Sequence, residues 1–142
     1  FGREGEELSL RIWDAGYKIL YYPSALGYHR VSPQQQIVGG RRAYFDLRNA
    51  LALIILRYPW RLVLLMAPLR VAAACLRAAK RGQLSQALRA LLDVARQLPL
   101  LLRQRRPISN ETARLYVRLL RQHGPLHWDL ASWLRVKAGF ET

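Results

Sequence analysis

Between Gln83 and Leu102 the apolar positions fall three, four and seven apart: Leu84, Leu88, Leu91, Leu92, Ala95, Leu98 and Leu102. That is the period of a helix that hides one face. Arg89, Arg96 and Arg103 recur every seven residues on another face. Pro99 should kink or end this helix, because proline lacks an amide donor and crowds the preceding turn. Arg103-Gln104-Arg105-Arg106-Pro107 follows as a basic stop.

The same patterning predicts further elements on either side. Leu8, Ile12 and Ala15 share one face of a short helix over Glu6–Ala15, with Gly16 as the C′ residue that needs positive φ. Lys18-Ile19-Leu20-Tyr21-Tyr22, rich in β-formers and stopped by Pro23, predicts a strand, and Ala25–His29 a second short extended segment. Ser32-Pro33-Gln34-Gln35 carries helix-start chemistry. A break is expected at Gly39-Gly40, then a helix from Arg41 through Tyr44, Leu47, Arg48, Leu51 and Ile55 that stops before Pro59. Ser109 should cap a last helix that carries Glu111 in its first turn and ends by Gly124-Pro125. The remainder, Leu126–Thr142, bears Trp128 and Trp133 and is weakly patterned.

Trp60–Lys80 is the most apolar stretch, yet Arg57, Arg61, Arg70 and Arg77 punctuate it, and uncharged runs reach only eight residues. A spanning helix wants about 18 apolar residues in a row. The expectation is therefore a helix lying in the plane of a membrane surface, its leucines in the acyl boundary and its arginines snorkelling to phosphates.

Charge strengthens that expectation. The chain has 142 residues and a net charge of +14, with 51% hydrophobic residues. Such a charge draws polyanions, whether anionic lipid, phosphorylated substrate or nucleic acid. It is unevenly spread: residues 1–30 are balanced, whereas residues 40–106 hold fourteen basic groups against Asp46 and Asp93. Cys75 is the sole cysteine, which excludes an internal disulfide, and its apolar surroundings suggest a small core residue. The chain begins at Phe1, not Met, and the expectation is a fragment of a longer protein.

Candidate chemistry is concentrated near the N-terminus. Glu4-Gly5-Glu6-Glu7-Leu8-Ser9-Leu10-Arg11 places three acids at a helix start, where free amides and the helix dipole hold carboxylates. Ala15-Gly16-Tyr17, Ile19-Leu20-Tyr21-Tyr22-Pro23 and His29-Arg30 follow, then Tyr44-Phe45-Asp46-Leu47-Arg48-Asn49, and finally the run from Arg103 to Thr112. In that order these pieces resemble the C-terminal portion of family 2, GT-A type, glycosyltransferases of the bacterial rhamnosyltransferase-like group. The family's acidic cluster is usually E-D-x-D-L-x-x-R; here Gly5 stands where the usual base would be.

The resemblance implies an inverting transfer of a sugar from a nucleotide-sugar donor to a cell-surface polysaccharide or lipid-linked glycan acceptor. A carboxylate would take the acceptor hydroxyl proton. Glu6 is the first choice, Glu4 the second, and Glu7 has the spacing of an i,i+4 pair with Arg11. Arg11, Arg48 and Asn49 are candidates for acceptor or phosphate contacts, with Arg41 and Arg42 as further cations. His29 is a candidate metal ligand. A divalent metal, Mn or Mg, would belong to the parent enzyme and be held mostly by residues outside this chain. His123 and His127 read as loop residues.

The fold expected is mostly α, with a small α/β remnant of a GT-A domain at the N-terminus followed by amphipathic helices. The expected divisions are 1–32 for the end of the catalytic domain, 33–106 for a basic membrane-associating region and 107–142 for a helical tail. The location implied is the cytoplasmic face of an inner membrane. The alternative is a basic helical module without catalysis, bound to a membrane surface or to nucleic acid. Arginines interleaved with leucine runs, and Tyr58, Trp60, Trp128 and Trp133 beside them, disfavour nucleic acid.

Overall fold

A computed structural model describes residues 3–28 and 39–123, and the described residues are mostly α-helical, with no strand. The chain divides into two compact units, Phe1–Ile108 and Ser109–Thr142. The first holds α1 (Glu4–Asp14), α2 (Gly39–Arg57), α3 (Trp60–Lys80) and α4 (Leu84–Arg103). The second holds α5 (Asn110–His123).

The core of the first unit gathers Leu47 and Leu51 of α2, Ala78 of α3, and Ala87, Ala90, Val94 and Leu101 of α4. The α4 positions fall three, four and seven apart, so they form one seam. Alanine at two of them lets helix backbones come close, and Leu47, only 1% exposed, fills the space between. Tyr44 extends the α2–α4 contact: its hydroxyl donates a 2.5 Å hydrogen bond to Asp93 Oδ2.

That bond leaves a titration signature. It holds the Asp93 carboxyl below its ordinary value of 3.8 and raises the Tyr44 phenol above 10.0, chiefly because the phenol donates to the ionised carboxylate. The depressed Asp93 value adds stability above the ordinary carboxylate range, which is lost as pH falls through the folded value. The raised Tyr44 value adds stability below 10, which is lost as pH rises through its folded value. Both groups are close to solvent, so the effect is small. Tyr44→Phe should flatten the acid limb of a stability–pH curve below about pH 4; an unchanged limb would place its origin elsewhere.

Helix ends follow local chemistry. At the end of α1 the Tyr17 amide donates to the Ile12 carbonyl and the Gly16 amide to that of Trp13, with Gly16 at φ 81°. At the end of α3 the Gln83 amide donates to the Ala78 carbonyl and the Gly82 amide to that of Ala79, with Gly82 at φ 66°. Both are Schellman closures that need a left-handed residue. Nothing crowds a Cβ built at Gly82, so Gly82→Ala should cost about 1 kcal/mol from backbone strain alone. Gly5, inside α1 with open space around it, should instead gain about 0.5 kcal/mol as alanine. Thermal melts of the two variants should therefore move in opposite directions.

Several expectations are revised by the structure. Lys18–Tyr22 is not a strand: it runs without regular structure to a turn at Pro23-Ser24, with Leu20 83% and Tyr21 89% exposed. A strand needs a neighbour for its amides and its apolar face, and among the described residues none is present. The second extended segment also forms no strand over 25–28, and His29 lies outside the described residues. Pro99 does not end α4, which continues to Arg103. Pro99 and Ala95, whose carbonyl it frees, are both exposed, so water can take the lost hydrogen bond. Gly39-Gly40 belongs to α2 rather than breaking before Arg41.

The arginines beside α3 also depart from the snorkelling pattern. Arg57 and Arg70 are engaged within the bundle, Arg57 with Glu7 and Arg70 with Asp46 at 3.6 Å. Leu64, Leu65, Leu69, Ala72 and Leu76 form an exposed, uncharged stripe on the opposite side of the helix. By length and composition this helix of 21 residues could cross a membrane, its most apolar window having a mean hydropathy of 1.8. On α4 the exposed Leu84, Leu88, Leu92 and Leu102 are flanked by exposed Arg89, Arg96 and Arg103.

The expected basic stop after α4 is a clasp on the end of α2. Arg105 donates to the Ile55 carbonyl at 2.5 Å and the Tyr58 carbonyl at 2.7 Å. The Arg106 amide donates to Leu56 and the Ile108 amide to Arg57. These groups satisfy carbonyls that a helix end leaves open. The Trp60 ring lies 4.1 Å from the Arg105 guanidinium, a cation–π contact, and burial pulls the Arg105 pKa below its ordinary value. Arg105→Ala should destabilise the first unit by about 2 kcal/mol in chemical denaturation, and Arg105→Lys should recover only part of that, because one ammonium lacks the planar fork.

In the second unit the Thr112 amide donates to Ser109 Oγ at 3.2 Å, the N-cap bond expected there.

Candidate functional site

The acids of α1 meet α2 across a cleft of about 300 Å3 lined by Arg3, Glu4, Glu7, Asn49, Ala52, Leu53 and Leu56. Glu4, Glu7 and Asn49 come from two stretches far apart in sequence and meet here because α1 lies against α2. Leu10 is fully buried and anchors the turn of α1 that follows.

Each acid has a different setting. Glu7 Oε1 accepts two hydrogen bonds from Arg57, from Nε at 2.9 Å and Nη2 at 2.5 Å. Both N–H groups converge on one carboxylate oxygen, a charge-assisted pair rather than two parallel bonds to both oxygens. Arg11 Nη1 stands 3.8 Å from Glu7 Oε2, the i,i+4 pair, with Arg11 mostly exposed. Glu6 lies off the cleft lining: its Oε2 accepts from Arg3 at 2.7 Å and its Oε1 from the Tyr58 hydroxyl at 3.1 Å. Glu4 is exposed and lines the cleft.

Arg3 sits at the N-cap of α1 with φ 83°, a left-handed conformation that is costly for a side chain other than glycine. Its guanidinium spans Glu6 and Asp46 Oδ1, the latter at 3.4 Å, and so ties α1 to α2. Arg48 is not brought to the cleft. It lies 6.0 Å from the Phe45 ring centroid, on the side of α2 that carries Tyr44 and faces Asp93 of α4.

Arg57 and Tyr58 organise the acids and carry no local sequence signal, being 50 and 52 positions from their partners, whereas Arg3 and Glu6 stand at the local i,i+3 spacing. The described residues include no group of three His, Cys, Asp or Glu able to hold a metal ion. With Glu6 and Glu7 already bound by cations, these residues do not fit a divalent metal on their own, and no step is drawn through one.

Fold and cleft together define a basic helical bundle that presents an acidic helix start beside an amide. No family model matches the chain, and neither a curated protein nor a solved structure does.

Proposed function

We propose that this chain is the acceptor-side end of an inverting, GT-A type glycosyltransferase, continued by a helical bundle that rests on an anionic membrane surface. The observation that carries the reading is the cleft: it unites Glu4 and Glu7 with Asn49, from two separate pieces of the resemblance. The small α/β remnant belongs to this reading as well, with Lys18–Tyr22 pairing with strands supplied by the rest of the catalytic domain.

In this reading Glu4 is the base. It is exposed, lines the cleft and stands in the first turn of α1, where the helix dipole favours negative charge. The acceptor hydroxyl oxygen forms a bond to the anomeric carbon as the bond to the nucleoside diphosphate breaks, and its proton passes to Glu4. Glu7, fixed by Arg57, and the Asn49 amide orient the acceptor hydroxyls. The nucleotide-sugar donor and any metal are held by parts of the enzyme outside this chain. The acceptor is a cell-surface polysaccharide or lipid-linked glycan, met at the cytoplasmic face of the inner membrane, and nucleic acid is not a partner.

The exposed leucines of α3 and α4, with arginines flanking those of α4, support the membrane contact. A second reading is a membrane-surface module without catalysis. The cations on Glu6 and Glu7 favour it, since ion pairs of that kind also serve simply to dock a helix. Full-length protein presented with nucleotide sugars and a lipid-linked glycan separates the two. Transfer supports the first, whereas vesicle binding with neither transfer nor donor binding supports the second.

A further inference from the structure

A second cleft, of about 330 Å3, opens between α2, α3 and α4 on the far side of α3 from its apolar stripe. Arg42, Arg77 and Arg81 line it, with Asp46 as the single acid. The Asp46 carboxylate is held by Arg3 and Arg70, so it does not neutralise those three arginines. Among the described residues no carboxylate lies within ion-pair distance of Arg42, Arg77 or Arg81, and all three are exposed.

The floor is shaped to admit something small. Ala43, Ala74, Ala78 and Ala87 contribute only methyl groups beneath the arginines. Gln83 adds an amide at the rim and is the N-cap of α4. No side chain caps that helix start and no acid stands in its first turn, so nothing there offsets the added positive potential. Three guanidinium forks around a shallow space of this size match the several oxygens of a phosphate or diphosphate.

We propose that the Arg42–Arg77–Arg81 cleft binds a phosphate or diphosphate group, as a site separate from the Glu4 cleft and independent of the transferase reading. Its position bears on the source. Arg77 and Arg81 project from α3 away from Leu64, Leu65, Leu69 and Leu76. If that stripe rests on lipid, the arginines cannot be snorkelling groups of the same contact. The geometry favours a phosphorylated ligand arriving from the aqueous side.

The test uses the full chain, inorganic pyrophosphate followed by calorimetry, and vesicles containing one-fifth phosphatidylglycerol. Two variants of equal charge are compared: Arg77→Gln with Arg81→Gln, and Arg114→Gln with Arg118→Gln on α5 as a control. Circular dichroism checks that each stays helical. The expected result is at least tenfold weaker pyrophosphate binding for the cleft variant and less than twofold for the control, with vesicle binding lowered equally in both. If pyrophosphate fails to bind and only the cleft variant loses the vesicles, the phosphate is lipid-borne and the site stands. Equal losses in both variants on both probes, or no loss in either, would overturn it.

Discussion

Leu47→Ala should destabilise the first unit by about 3 kcal/mol, the largest stability change expected for any single truncation in it. Leu47 is nearly inaccessible and sits among alanines of α3 and α4. Those alanines have only a methyl group, with no rotamer that could fill a hole, and three helices already meet there, so collapse around the cavity is limited. The cost is the lost transfer free energy plus the cavity left behind. A fall in melting temperature of roughly 12 °C or more should accompany it. By contrast Leu64→Ala, at a site 74% exposed, should change stability little. Comparable losses at both positions would mean that the stripe on α3 is covered within the protein.

This contrast also marks what could be read from the chain. The α2 and α4 helices were legible from their apolar spacing, with Pro59 stopping α2, and Gly16 closes α1 as its place in the pattern predicts. Lys18–Tyr22 misled because β-formers specify a strand only when a neighbour exists to pair with. Of the two outcomes expected at Pro99, an end to the helix does not occur, because on an exposed face water can take the freed carbonyl. The Arg103–Pro107 run reads only as a basic stop, since nothing local reveals that Arg105 reaches back to Ile55 and Tyr58.

For activity the largest expected change is at Glu4. In the full-length enzyme Glu4→Gln should lower kcat by 100-fold or more, within the range that general-base catalysis supplies. Donor affinity should be kept, because the change removes a proton acceptor and nearly nothing of shape. Glu6→Gln should lower kcat less, through loosening of the Arg3 and Tyr58 contacts, and should show itself more in stability than in the chemical step. From residue order alone Glu6 was the first choice. Glu4 replaces it in the proposed mechanism, because Glu4 lines the cleft and Glu6 does not. Such a distinction cannot be read from spacing, since it depends on Arg57 and Tyr58 arriving from the far end of α2.

The same assay tests the proposal most directly when the product is followed by proton NMR. Full-length protein, a nucleotide-sugar donor and a lipid-linked glycan should give a glycoside of inverted anomeric configuration. That product should be nearly absent with Glu4→Gln while donor binding persists. A product of retained configuration, or undiminished transfer by the Glu4→Gln enzyme, would contradict the assignment of this chain as the acceptor side of an inverting transferase.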